Sequence, residues 1–132
     1  MGNCGVGFAP CKPTEADRAQ MIEVMEDVED IPGAALHEGI DWQWESFPEY
    51  LDVLDTMPRA IDIGAQVPRC AVRTYVMGDR GTNNEPASDD DVAKMSEIVR
   101  EGIAAGAVGF TTSRTDLAST SAAMRHCRTP DG

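Results

Sequence analysis

Apolar positions along the chain fall into three helical stripes separated by shorter runs that read as extended. From Pro13-Thr14 to about Glu29, the residues Ala19, Ile22, Met25 and Val28 recur at three-residue steps and define one apolar face. Glu23, Glu26, Asp27 and Glu29 fall on its solvated side, Thr14 can cap it with Asp17 three residues on, and Pro32-Gly33 ends it. A second helix opens with Ser46 as N-cap, Pro48 in the first turn and Glu49 completing a capping box. Phe47, Tyr50, Leu51, Leu54 and Met57 form its apolar side, and Met57-Pro58 closes it. The third is the clearest. Ser88 caps it, Asp89, Asp90 and Asp91 complement its dipole, Val92, Met95, Ile98, Val99 and Ile103 form a buried stripe, and Gly106 terminates it.

Between the helices the pattern changes period. Residues 34–41 read as irregular or short extended backbone, residues 59–68 as a strand bounded by prolines, and residues 73–78 as a short extended or helical piece. Residues 79–87 are polar and rich in turn formers, which marks a surface loop. Residues 107–112 follow the third helix at once as a short buried strand, and residues 116–132 show no periodicity. Helix, strand, helix, strand with short links predicts an α/β protein with a parallel sheet. About three strands can form a small open sheet but cannot close a (β/α)8 barrel, which takes ~250 residues.

Composition narrows the function classes. The 132 residues are 42% hydrophobic, enough for one core, and the longest apolar runs are far too short to span a bilayer. A formal net charge of −12, from 23 acidic against 11 basic residues, repels phosphate backbones and argues against a nucleic-acid partner. The opening residues carry no secretory pattern, so a cytoplasmic protein with reduced thiols is the expectation. Cys4, Cys11, Cys70 and Cys127 match no zinc-finger or ribbon spacing.

Candidate chemistry concentrates at the start of the chain. Gly2-Asn3-Cys4-Gly5-Val6-Gly7 places a thiol on a glycine-rich turn, which reads as the end of a strand entering an active-site loop of a larger enzyme. Three roles for Cys4 follow from the residues alone: metal ligand, covalent nucleophile, or packed loop thiol. A nucleophile wants a positioned base, and the two histidines, His37 and His126, lie in no recognisable partner motif. The glycine spacing is neither G-x-G-x-x-G nor a Walker motif. Arg73 and Arg114 each follow a strand-like run, where a guanidinium can take a substrate carboxylate in two hydrogen bonds or form a salt bridge at the rim.

Several phrases carry a family likeness. Gly2-Asn3-Cys4-Gly5-Val6-Gly7-Phe8-Ala9-Pro10-Cys11, Val28-Glu29-Asp30-Ile31-Pro32-Gly33, Trp42-Gln43-Trp44-Glu45-Ser46-Phe47-Pro48-Glu49-Tyr50-Leu51, Tyr75-Val76-Met77-Gly78 and Ala107-Val108-Gly109-Phe110-Thr111-Thr112-Ser113-Arg114-Thr115 resemble N-acyl-D-amino-acid deacylases of the amidohydrolase superfamily. The resemblance implies a zinc-dependent hydrolase of non-peptide C–N amide bonds, acting on a small N-acyl amino acid within a (β/α)8 barrel. It makes Cys4 a zinc ligand. The family's His-x-His motif lies upstream of this turn, and its later histidines and catalytic Asp lie downstream, so the chain reads as an internal piece. Arg69 stands where the family often has His.

The resulting expectation is a partial barrel of about three β/α units over residues 1–115, with residues 116–132 as a disordered or unrelated tail. A catalytic zinc needs about three protein ligands, so one cysteine predicts an inactive chain. The competing class is a non-catalytic acidic remnant or protein-binding module.

Overall fold

A computed structural model of the chain describes residues 1–2 and 4–112. Helix α1 (Glu15–Glu29) starts after Thr14, whose Oγ1 accepts from the Asp17 N–H at 3.2 Å. Its buried residues are Met21, Ile22, Val24 and Met25, while Ala19 is exposed, so the face is rotated from the three-residue stripe. Residues 34–41 were expected to be irregular, yet they belong mostly to a helix, α2 (Gly33–Gly39). Pro32 pre-sets the backbone there, and its carbonyl accepts from the Ala35 and Leu36 N–H groups.

Helix α3 (Phe47–Thr56) carries the expected capping box. The Glu49 N–H donates to Ser46 Oγ at 3.3 Å and the Ser46 N–H donates to Glu49 Oε2 at 2.8 Å. These bonds, the Ser46 N–H foremost, hold the Glu49 carboxyl below its usual pKa. Met57 is the C-cap and is exposed rather than part of the apolar face.

The strand expected over residues 59–68 is regular only at β1 (Val67–Pro68), and Ala71-Val72-Arg73 is helical, inside α4 (Arg69–Met77). Pro68 has no N–H to continue a ladder, and the Cys70 N–H is drawn instead to Gly5 O at 3.0 Å. Residues 79–87 include one further turn of helix, α5 (Asp79–Thr82). Helix α6 (Asp89–Ala104) has the second full capping box, with the Ser88 N–H on Asp91 Oδ2 at 3.0 Å and the Asp91 N–H on Ser88 Oγ at 3.2 Å. Arg80 Nη2 reaches both Asp91 oxygens at 2.9 Å and so ties α5 to the start of α6.

Strand β2 (Phe110–Thr111) pairs parallel with β1, in the register Val67 with Phe110 and Pro68 with Thr111. On the other flank of β1, the Met1 amine donates to Gly64 O at 2.6 Å and the Gln66 N–H to Met1 O at 3.0 Å. Three extended segments therefore lie side by side and run the same way, which is an α/β arrangement. The buried centre holds Phe47, Val67 and Val72, each at most 2% exposed, with Trp44, Tyr50 and Ala65 around them. Full burial of each large apolar side chain is worth roughly 1.5–3 kcal/mol. Helix α6 seats on this centre through Gly102, where a Cβ would stand 2.7 Å from Val67 Cγ2.

Two expectations about the α6 flank need correction. Val92 and Ile103 were assigned to the buried stripe but are 49% and 45% exposed. The run 107–112 was read as a buried strand, yet Val108 is 66% and Phe110 46% exposed. Only one face of each element has a neighbour among the described residues. Cys70 is disulfide-bonded, which departs from the expectation of reduced thiols. No helix among the described residues is long and apolar enough to cross a membrane. Residues 116–132, assigned to a tail, lie outside the described residues.

Candidate metal centre

The opening turn is fixed by backbone chemistry that only glycine permits. Gly2 and Gly5 have φ of 83° and 82°, in the left-handed region that a side chain disfavours. A Cβ on Gly2 would also stand 2.8 Å from Gln66 O. The Gly5 N–H closes the turn on Gly2 O at 3.1 Å, and Thr111 Oγ1 donates to the same Gly2 O. With Gly5 O taking the Cys70 N–H, the turn is fastened both to β2 and to the helix that follows β1. Cys4 thus stands at the carboxyl ends of the parallel strands, where α/β enzymes place reacting groups.

The Cys4 thiol is half-buried and directed at Glu29, the last residue of α1, with Sγ 3.4 Å from Oε1. Two ligands of one tetrahedral zinc, a thiolate at ~2.3 Å and a carboxylate oxygen at ~2.0 Å, stand ~3.5 Å apart. The observed contact is a hydrogen bond from the thiol to the carboxylate, and two donors fall short of the about three that a catalytic zinc takes. Among the described residues no third His, Cys, Asp or Glu joins it, since no such group of three is present.

Behind the pair lies a cavity of about 300 Å³, lined by Val6, Met25, Phe47 and Tyr50 as well as by Cys4 and Glu29. Gln66 also lines it, and its buried Oε1 has no hydrogen-bond partner among the described residues. Burial pushes the Tyr50 phenol up to about 12, so this wall is neutral and largely apolar. Cys11 is a different kind of thiol. It is 2% exposed, and burial first, then the charge of Asp17, raises it to about 11, so it is inert.

The two arginine candidates separate. Arg73 lies on α4, 4% exposed, and donates through Nη2 to Glu85 O, while its Nε has no partner among the described residues. Burial lowers its pKa, partly offset by Asp91, and it does not line the cavity beside Cys4. Arg114 and His126 lie outside the described residues, and His37 is exposed on α2. Arg69 opens α4 and lines a second apolar hollow, about 500 Å³, with Met95, Val99 and Phe110. Glu29 and Gln66 were not singled out from the sequence. For Glu29 a signal existed: an acid in the last helical turn opposes the helix dipole.

A model of the amidohydrolase family matches residues 1–130. The D-aminoacylase of Alcaligenes xylosoxydans xylosoxydans is 29% identical over 111 residues, 84% of this chain and 20% of that protein. The chain thus spans about a fifth of the length of this curated relative. No solved structure matches the chain significantly.

Proposed function

Because the chain belongs to the amidohydrolase family, we propose that it forms part of a zinc-dependent hydrolase that cleaves the amide of N-acyl-D-amino acids. The single observation that carries the reading is Cys4 on its glycine turn at the carboxyl ends of the parallel strands. The likeness to a D-aminoacylase supports the substrate class, a small N-acyl amino acid. The described elements are then about three β/α units of a barrel, with 1–115 as barrel sequence and 116–132 as a tail.

Cys4 as thiolate would hold the metal, with Glu29 beside it. A bound zinc ion supplies Lewis-acid polarisation of the amide carbonyl and a water acidified toward neutral pH. The glycine turn fixes the backbone on either side of Cys4, and the largely apolar cavity beside it would border the substrate. With two donors and no third among the described residues, the chain alone has no turnover in this reading.

The test grafts residues 1–112 in place of the matching stretch of the Alcaligenes D-aminoacylase and follows release of free D-amino acid. The chimera retains zinc-dependent deacylation, and Cys4→Ala removes it. A folded chimera that binds zinc without hydrolysis overturns the function. Turnover by the unmodified chain overturns its inactivity alone.

A further inference from the structure

We infer that the cavity behind the Cys4 turn is an acyl-chain pocket, which takes the apolar chain of an N-acyl amino acid and leaves the substrate's carboxylate outside; this rests on the proposed hydrolase reading. Position and lining support it. Cys4, at the carboxyl ends of the parallel strands, borders the cavity where the amide would lie. Val6, Met25, Phe47 and Tyr50, all buried, wall it, and the Tyr50 phenol stays uncharged. With about 300 Å³, against ~30 Å³ for a liquid water, it has room for an acyl chain of roughly six carbons. Glu29 and Ile31 also line it, and both are exposed, so they mark its opening.

Charge decides which end of the substrate enters. Among the described residues no Lys, Arg or His side chain lines the cavity, and the Met1 amine donates to Gly64 O. The carboxylate of Glu29 stands at the opening, 3.4 Å from Cys4 Sγ. In an N-acyl amino acid the side chain and the carboxylate share one carbon. Seating the side chain inward would press that carboxylate toward Glu29 with no cationic side chain of the lining to offset it, and like charges repel at such range. Seating the acyl chain inward keeps the amide between the carboxylate and the cavity. Each methylene buried in this way strengthens binding about fourfold.

Two isomers of equal charge test this on the full chain. N-hexanoyl-D-alanine carries its long chain on the acyl side, and N-acetyl-D-2-aminoheptanoate carries it on the amino-acid side. Binding is followed by NMR of the methionine methyl groups, because Met25 lines this cavity and Met95 lines the separate hollow on α6. The hexanoyl isomer binds about tenfold or more tightly than the acetyl isomer, with the Met25 methyl shifted and Met95 unmoved. Ala65→Leu fills the cavity and Ile31→Trp narrows its opening, so each brings the ratio below about threefold, with circular dichroism confirming the fold. Equal affinities, a preference for the acetyl isomer, or no binding of either up to ~10 mM overturns the inference. A ratio unchanged in both folded variants also overturns it. The readout is binding alone, so it fails separately from the hydrolase reading. A chimera that deacylates both isomers with equal rate and affinity overturns the acyl pocket and leaves the hydrolase standing. The isomer preference in the chain, beside a folded, zinc-loaded chimera without turnover, overturns the hydrolase and upholds the pocket.

Discussion

The two faces of the α6–β2 flank differ sharply although the same short stretch of chain builds both. Inward, Ile98 and Val99 pack on the cluster around Phe47 and Val67, Gly102 lets the helix close onto β1, and Ala107 is 9% exposed. Outward, Val92, Ile103, Val108 and Phe110 are apolar and stand in the open. The contrast teaches that hydrophobic patterning records how many neighbours an element is suited to, not how many are present. In the proposed partial barrel, the outward face is where a further β/α unit would pack.

Truncating the inward side has the largest expected effect. Phe47→Ala empties the centre between α3, β1 and α6 and costs about 3–5 kcal/mol, enough to abolish the cooperative urea transition of a chain this size. A loss under about 1 kcal/mol would show that the two faces are not different in kind.

The cap at the edge of the comparison has an intermediate effect. Ser88→Ala lowers stability by about 1 kcal/mol in the same measurement. Its partner also sets an acid limit. The Ser88 N–H first, and then Arg80, hold the Asp91 carboxyl down to about 2, below the unfolded value of about 3.9. A depressed folded pKa means this stabilisation is complete above about pH 4 and is lost as the pH falls toward 2. Asp91→Asn removes that part of the pH dependence, read from circular dichroism across the same window. An identical acid profile in the variant refutes the assignment.

The outward face has the smallest expected effect on stability. Val108→Ser with Phe110→Ser changes the unfolding free energy by no more than about 0.5 kcal/mol. It also reduces binding of an apolar fluorescent dye. A stability loss comparable to that of Phe47→Ala would mean the face is covered in solution.

Legibility in the sequence followed the range of the interaction. Thr14, Ser46 and Ser88 were readable as caps because each bonds to a backbone N–H three residues away, whatever the rest of the chain does. The strand-like reading of Ala71-Val72-Arg73 failed because a run of three residues has no period of its own, and docking of the Cys70 N–H on Gly5 starts a helix there. Arg73 does not line the cavity beside Cys4 for the same reason: on α4 it is turned into the packing against Glu85.

What the sequence determined by itself were the three capped helices, the parallel α/β class and the glycine turn that carries Cys4. Each depends on backbone geometry or on bonds within one turn. Tertiary structure alone decided that Glu29 meets the Cys4 thiol, that Gln66 lines the cavity behind them, and which face of α6 is covered. Those outcomes depend on where α1 and α6 dock against β1, and docking is a sum over many distant contacts that no local spacing encodes.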